Sequence, residues 1–171
     1  MMKYRVLKKQ YNSKMCFVCG TENKLGLHTD FYELDNQKLV GILKGIDQHQ
    51  SYPLRMHGGI ITALLDETIG RAIQIASPDA WGITASITVK FLKPVPLDEP
   101  LKVVGYVTSN RRLLFEGVGY MCDEQLNILA TAEAKYFKKD VSEITDLSLF
   151  SKDEWFLVQE DDPIQEVELP E

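Results

Sequence analysis

One segment limits the possible folds of this chain more than any other. Residues 57–76 read HGGIITALLDETIGRAIQIA, and their apolar side chains recur with the spacing of an amphipathic helix. The long segments that follow alternate apolar and polar residues, as strands do. A single long helix among strands is expected to be the element against which a sheet packs. The sequence therefore predicts an α+β fold with one central helix.

Asp66 occupies an unusual place on this helix. The apolar side chains form one wide arc, and Glu67 and Arg71 lie on another side as an i,i+4 ion pair, but Asp66 belongs to neither group. Its helical neighbours are mostly small and leave space beside the carboxylate: Thr62, Ala63, Ile69 and Gly70. A lone Asp in a helix is weak evidence of function, so spacing alone leaves both a solvated and a functional Asp66 open.

Two glycines precede the helix and indicate how the chain enters it. Gly58 and Gly59 permit a tight turn, and the first N–H groups of a helix have no partner within the helix. These donors and the helix dipole favour negative charge at the helix start. The sequence therefore predicts a site for a developing or permanent anion near Gly58.

The remaining segments predict strands and short connections. A hairpin is expected from 27–34 and 38–45, and residues 46–56 form a loop that leads into the helix. Four strands joined by short turns should form an antiparallel meander: 82–92, 101–108, 113–121 and 128–137.

Both ends of the chain are expected to contribute little to the fold. Residues 1–15 are polar and predicted to be loosely structured, with at most a short helix. One short helix is predicted near 147–156, and the acidic end from residue 159 is predicted to be mobile. Deletion of the chain from Asp161 onward is therefore expected to leave activity nearly unchanged.

Length, charge and cysteine usage exclude several classes of protein. The 171 residues suggest one domain, and no apolar run of about 18 residues predicts a membrane span. Residues 153–171 hold eight acidic and no basic residues, whereas the remainder holds 19 basic and 17 acidic ones. This near-neutral body does not resemble a nucleic-acid binder. Three cysteines and no signal-peptide pattern favour a reducing cytoplasm.

Cys16 and Cys19 form a Cys-x-x-Cys pair that is half of a common metal motif. His28 could add only a third ligand, and structural zinc sites usually have four. No surrounding helical pattern supports a redox role. The preferred interpretation is two small buried side chains in a turn, and no metal site is predicted.

Several motifs together carry a family resemblance. The stretch HQSYPLRMHGGIITALLDETIG resembles the loop and central helix of PaaI-like hotdog-fold acyl-CoA thioesterases. Further matching motifs lie between residues 16 and 137, in the same order and spacing: Cys16-Phe17-x-Cys19-Gly20, Gly26-Leu27, His49-Gln50 with Pro53, His57-Gly58-Gly59, and Phe91-Leu92-Lys93-Pro94. Ser51 and Leu54 depart from the glycines of a frequent HQGxPG pattern, which puts the substrate range in doubt more than the chemistry.

The resemblance implies a fold, a domain division and an assembly. The expected fold is a hotdog fold, in which an antiparallel sheet of five to six strands wraps around one long central helix. The expected segments are 1–26 with the Cys-x-x-Cys turn, 27–140 as the thioesterase domain, and 141–171 as an acidic extension. A homodimer with shared active sites is expected in the cytoplasm, and a dimer of dimers, a homotetramer, stays open.

The resemblance also implies roles for individual residues in acyl-CoA hydrolysis. Asp66 matches the catalytic carboxylate, a general base or nucleophile, and the backbone N–H of Gly58 matches the donor to the thioester carbonyl. Gln50 and Thr84 match polar groups near the carbonyl and the attacking water. His57, expected to support the helix start, lies with Gly59 and His49 among the residues next to the substrate. No cofactor is expected.

Coenzyme A would need cationic contacts for its phosphates, and four residues are candidates: Lys90, Lys93, Arg111 and Arg112. Their interpretation as ordinary surface charges stays open. Two other functions also stay open, a hotdog dehydratase of hydroxyacyl thioesters and a non-catalytic acyl-CoA-binding protein. A dehydratase needs a histidine poised for proton abstraction, typically in a Phe-Pro-rich loop, whereas this loop reads His49-Gln50-Ser51-Tyr52-Pro53. A binding protein would not need both Asp66 and Gly58, which this sequence has.

Overall fold

The computed structural model describes residues 1–149, 151–157 and 164–171. Its helices are α1 (Gly58–Arg71), α2 (Ile73–Ala76), α3 (Val141–Ile144) and α4 (Lys152–Trp155), with short 3-10 helices at Asp47–His49 and Leu147–Leu149. Its strands are β1 (Met2–Lys9), β2 (Asp30–Leu34), β3 (Leu39–Lys44), β4 (Gln50–Tyr52), β5 (Arg55–Met56), β6 (Trp81–Phe91), β7 (Pro100–Asn110), β8 (Leu114–Cys122), β9 (Ile128–Lys139) and β10 (Glu166–Leu169).

Within the described residues, eight strands form one antiparallel sheet in the order β10-β1-β2-β3-β7-β8-β9-β6, and β4 and β5 form a separate two-stranded pair. The helix α1 packs against this sheet through buried side chains that include Leu64, Leu65 and Ile69. The predicted hotdog arrangement of an antiparallel sheet around one central helix is confirmed. The predicted number of five to six strands is wrong, because both chain ends add a strand.

The amino-terminal segment is a strand rather than a loose tail. β1 pairs with β2, and Tyr4 and Val6 pack against a small apolar cluster on one face of the sheet. Lys3 and Arg5 alternate with these apolar residues, which gives the segment a polar and basic composition. The expectation for residues 1–15 was therefore wrong over β1, whose alternation of apolar and charged residues suits a half-exposed strand.

The carboxyl-terminal residues are also docked. β10 pairs antiparallel with β1, with Met2 opposite Leu169, and the side chains of Val167 and Leu169 are buried. The predicted mobile end is therefore wrong for residues 166–169, and the expectation that this segment is dispensable loses its structural basis. Residues 158–163, which include Asp161, lie outside the described residues, as does Phe150 of the helix predicted at 147–156.

The three-segment division into 1–26, 27–140 and 141–171 stays a prediction. β1 and β10 come from its outer segments, yet both join the sheet formed by the middle one. In the part of the chain that the structure describes, no helix is long and apolar enough to cross a membrane.

Glycines in two central strands let α1 lie directly on the sheet. A Cβ atom at Gly105 would lie 2.8 Å from the Thr68 carbonyl oxygen and 2.9 Å from the Ile69 Cα atom. At Gly117 and Gly119 it would lie 2.6 and 2.9 Å from the Ile69 side chain. The helix backbone therefore approaches the sheet more closely than a row of larger residues would allow.

Replacement of Leu169 by alanine tests the docking of β10. Because the side chain is fully buried, Leu169→Ala is expected to lower the free energy of unfolding by about 2–5 kcal/mol, measured by urea denaturation. Glu166→Ala on the same strand is the matched control, since Glu166 is exposed and the change should stay within about 0.5 kcal/mol. Equal effects of the two substitutions would show that the strand is not docked.

Candidate active site

Asp66 lies in the middle of α1 and is held by two hydroxyl groups from the sheet. The Thr84 hydroxyl lies 2.9 Å from Oδ1 and 3.1 Å from Oδ2 of Asp66, and donates to this carboxylate. The Tyr136 hydroxyl lies 2.9 Å from the Asp66 carbonyl oxygen and 3.1 Å from Oδ1. The carboxylate is thereby fixed in one orientation relative to the sheet.

The strand register explains why these hydroxyls meet at one point. Thr84 of β6 and Tyr136 of β9 are directly opposed in the β6–β9 pairing, and the pairing shifts register between Thr84 and Ser86. The Tyr136 ring stacks on Phe115, with a centroid separation of 4.7 Å. A Cβ atom at Gly70 would lie 3.2 Å from the Tyr136 ring, so the small residue on α1 leaves space for it.

The surroundings of Asp66 make it a stronger base than an exposed aspartate. Burial raises the pKa of the Asp66 carboxyl, and the hydrogen bonds from Thr84 and Tyr136 oppose this rise. Burial and the charge of Asp66 raise the pKa of Tyr136, so the phenol keeps its proton and remains a donor. This combination gives a carboxylate that is oriented and can accept a proton from a bound molecule.

The Asp66 carboxylate faces a cavity of about 810 Å³. Such a volume lies within the range of small-molecule and cofactor sites. Residues from five parts of the chain contribute to its lining: Asp66, Thr84, Tyr136, Cys16, Trp81 and Trp155. The cavity therefore combines the Asp66 carboxylate with aromatic surface.

The start of α1 presents a second reactive feature. His57 caps the helix, and its Nδ1 accepts a hydrogen bond from the Gly59 N–H at 2.9 Å. The N–H groups of Ile60 and Ile61 are bonded to the His57 carbonyl oxygen. Within the described residues, the Gly58 N–H has no hydrogen-bond partner. It is therefore available to an acceptor from outside the chain.

The two reactive features lie too far apart to serve one small group. Gly58 and Asp66 are eight residues apart on α1, or about 12 Å along its axis at 1.5 Å per residue. The structure therefore brings Asp66 together with Thr84, which the sequence singled out separately, but does not bring Gly58 to the same point within one chain.

The loop before α1 holds the other two polar residues that the sequence singled out. His49 is buried, and its Nδ1 accepts a hydrogen bond from the Ile46 N–H at 3.2 Å while its Nε2 lies 2.9 Å from the Leu25 carbonyl oxygen. Both ring nitrogens are therefore occupied by backbone, which favours a role in shaping the loop. Gln50 is exposed on β4.

The four candidate cations for coenzyme A are exposed and do not line the Asp66 cavity: Lys90, Lys93, Arg111 and Arg112. Sequence reasoning missed Tyr136, Trp81 and Trp155. Tyr136 could have been found only from the register that sets it opposite Thr84. The tryptophans could have been found only from the path of the chain after β9, which brings Trp155 against Trp81.

Comparisons with known proteins bear on the fold. Residues 55–126 match the family model of the thioesterase superfamily. This matched segment contains β5, α1 and the strands through β8. No curated protein matches the sequence.

Solved structures of thioesterases share the fold. A thioesterase superfamily protein aligns with a TM-score of 0.66 and 24% identity over 71% of this chain and 59% of that one. The E. coli PaaI protein from the phenylacetic acid degradation operon aligns at 0.60 and 18% over 66% and 80%. Zebrafish thioesterase superfamily member 2 aligns at 0.60 and 18% over 69% and 86%. The predicted resemblance to PaaI-like hotdog thioesterases is confirmed.

Substitution of His57 tests how the helix start is held. His57→Ala removes the acceptor for the Gly59 N–H and is expected to lower the free energy of unfolding by about 1 kcal/mol, measured by urea denaturation. His57→Asn is the matched control, because asparagine is among the best capping residues and should retain most of the stability. Equal losses in the two variants would contradict the capping role.

Proposed function

We propose that this protein hydrolyses acyl-CoA thioesters to a free acid and coenzyme A. The observation that carries the proposal is the oriented Asp66 carboxylate at the wall of a ligand-sized cavity. The match of residues 55–126 to the thioesterase superfamily supports it. A structurally similar hypothetical thioesterase from Streptococcus pneumoniae was solved with coenzyme A, at 20% identity and a TM-score of 0.55 over 60% of this chain and 82% of that one.

In the proposed reaction, Asp66 accepts a proton from a water molecule, and the resulting hydroxide attacks the thioester carbonyl carbon. The carbonyl oxygen then carries the negative charge, which a backbone N–H at a helix start stabilises without reorganisation. Such a donor contributes about 10²–10³-fold to the rate. As the carbon–sulfur bond breaks, the proton on Asp66 returns to the departing thiolate. The Thr84 hydroxyl keeps the carboxylate oriented throughout.

We further propose that each site takes its carbonyl-binding N–H from a second copy of the chain. Gly58 and Asp66 of one helix are about 12 Å apart, whereas a bound carbonyl and its attacking water are about 3 Å apart. Two copies of α1 that run antiparallel about a twofold axis would place Gly58 of the partner subunit beside Asp66. Two equivalent sites would result.

The long edge strand β6 supports this assembly. In the described sheet it pairs only with β9, and its free edge carries exposed Ile83 and Phe91. Such an edge is usually covered in a native protein. Asp66 contacts Thr84 near the start of β6, whereas Gly58 lies beside Phe91 at its end. Antiparallel pairing of two copies of β6 centred near Ile87 would place the start of one β6 beside the end of the other. Asp66 of one subunit would therefore lie near Gly58 of the partner subunit.

The other polar residues near the helix start have supporting roles in this proposal. Gln50 and Gly59 would contact the thioester next to the Gly58 N–H, and His57 and His49 would hold the backbone around it. The exposed cations at the β6 end and the β7–β8 turn would contact the phosphates of coenzyme A: Lys90, Lys93, Arg111 and Arg112. The acyl group would occupy the aromatic part of the cavity.

An acyl-CoA panel assayed with a thiol reagent tests the proposed reaction. The wild-type protein should release free coenzyme A, and Asp66→Asn should lower kcat by at least about 10²-fold, since it keeps the side-chain volume and removes the base. Asp35→Asn, an exposed residue in the β2–β3 turn, is the control and should leave kcat unchanged.

Other outcomes of this panel would replace the proposal. Double-bond absorbance from hydroxyacyl-CoA substrates without free thiol would indicate a dehydratase. Measurable binding without either product would indicate a binding protein. Folded Asp66→Asn protein with activity within a few-fold of wild type would remove Asp66 from the mechanism.

Subunit mixing tests the shared site. Gly58→Pro removes the donor N–H at the first position of α1, where proline is compatible with a helix, and it should be inactive like Asp66→Asn. After exchange, a mixed dimer has one site with both defects and one with neither, so activity should return toward half of wild type per mixed dimer. Each variant exchanged with itself is the control. Exchange between folded variants without recovered activity would contradict shared sites.

A further inference from the structure

Three potential metal ligands converge beside the Asp66 cavity. The Sγ atoms of Cys16 and Cys19 and a carboxylate oxygen of Glu67 all lie within 4.8 Å of one another. Both Cys16 and Glu67 line the cavity, and Cys19 is buried behind them. The sequence offered only His28 as a third ligand, whereas the fold supplies Glu67 from α1.

Two backbone N–H groups converge on the sulfur atom of Cys16. The N–H groups of Val18 and Cys19 both donate to the Cys16 Sγ at 3.4 Å. The Gly20 N–H donates to the Cys16 carbonyl oxygen at 2.8 Å, and a Cβ atom at Gly20 would collide with that same oxygen. The tight turn Cys16-x-x-Cys19-Gly20 therefore points two amide donors at one sulfur atom, and hydrogen bonds of this kind favour a thiolate ligand.

Arg71 supplies a fixed positive charge on the other side of the cluster. Its Nη2 donates to the Cys19 Sγ at 3.0 Å, and its Nε donates to Glu67 Oε1 at 2.7 Å. The guanidinium also lies 4.8 Å from the centre of the Phe31 ring and donates to the Tyr11 carbonyl oxygen at 2.9 Å. A carboxylate has lone pairs for both an arginine and a metal ion, so this ion pair does not prevent metal binding by Glu67.

Charge and geometry both fit a thiophilic divalent cation. Two thiolates and one carboxylate carry three negative charges, and Arg71 with a divalent cation carries three positive ones, so the buried cluster becomes neutral. Zinc–sulfur bonds of about 2.3 Å in a tetrahedron place two sulfur atoms about 3.8 Å apart. Ligand atoms within 4.8 Å of one another need only a small contraction to reach this arrangement.

We propose that Cys16, Cys19 and Glu67 bind one zinc ion, whose fourth position is open to the cavity. Thiolate ligands select zinc over magnesium and calcium, which prefer oxygen ligands. The ion links the 16–20 turn to α1 one residue after Asp66. It thereby holds the wall of the cavity to the helix that carries the carboxylate.

Zinc titration of the reduced, full-length protein tests this site. After metal removal with a chelator, wild-type protein should take up one zinc ion per chain in competition with a chromophoric chelator. Cobalt substitution should produce sulfur-to-cobalt charge-transfer absorption. Cys16→Ser and Cys19→Ser should abolish stoichiometric binding, and Glu67→Gln should weaken it by at least about 10-fold, the lower end reported for residues that only support a ligand.

Cys122→Ser is the matched control, because Cys122 is a buried cysteine at the end of β8 and is not among the converging ligands. It should keep one zinc ion and the cobalt absorption. Circular dichroism checks that each variant is folded, and Glu67→Gln remains informative if a cysteine variant is not. Folded, reduced wild-type protein that binds no zinc, or equal binding by all variants, would overturn the proposal.

Discussion

The close contact between α1 and the glycines of the central strands determines where the Asp66 carboxylate lies. Gly105, Gly117 and Gly119 let the backbone at Thr68 and the side chain of Ile69 reach the sheet. Because the helix is held at this depth, Asp66 comes within hydrogen-bonding distance of hydroxyls that project from β6 and β9. A larger residue at Gly105 would meet helix backbone rather than a movable side chain, so the helix and its carboxylate would have to shift.

Asp66 illustrates how a fold can give a common residue an uncommon property. Partial burial alone would favour the neutral acid, and hydrogen bonding alone would favour a weakly basic carboxylate. The two effects oppose each other here, because burial raises the pKa of Asp66 and the hydrogen bonds from Thr84 and Tyr136 lower it. The outcome is an oriented proton acceptor, as general-base chemistry requires.

The chain ends are part of the structure around the cavity and the sheet. β1 connects the sheet to β10, while the turn that follows β1 brings Cys19 against Arg71 of α1. Trp155 of α4 packs edge-on against Trp81 at 6.0 Å, and both rings line the cavity. Segments that look peripheral in sequence therefore shape the volume that a ligand would occupy.

The sequence by itself determined the central helix and the meander, because helical and alternating periodicities are local properties that need no knowledge of packing. Through the family resemblance, it also predicted the role of Asp66. The same resemblance placed the Thr84 hydroxyl near the attacking water. The tertiary structure alone decided that Tyr136 shares that carboxylate, since this depends on the β6–β9 register. The same holds for Glu67 joining the cysteines and for the strands at both ends. Each depends on contacts between segments distant in sequence, which a local pattern does not encode.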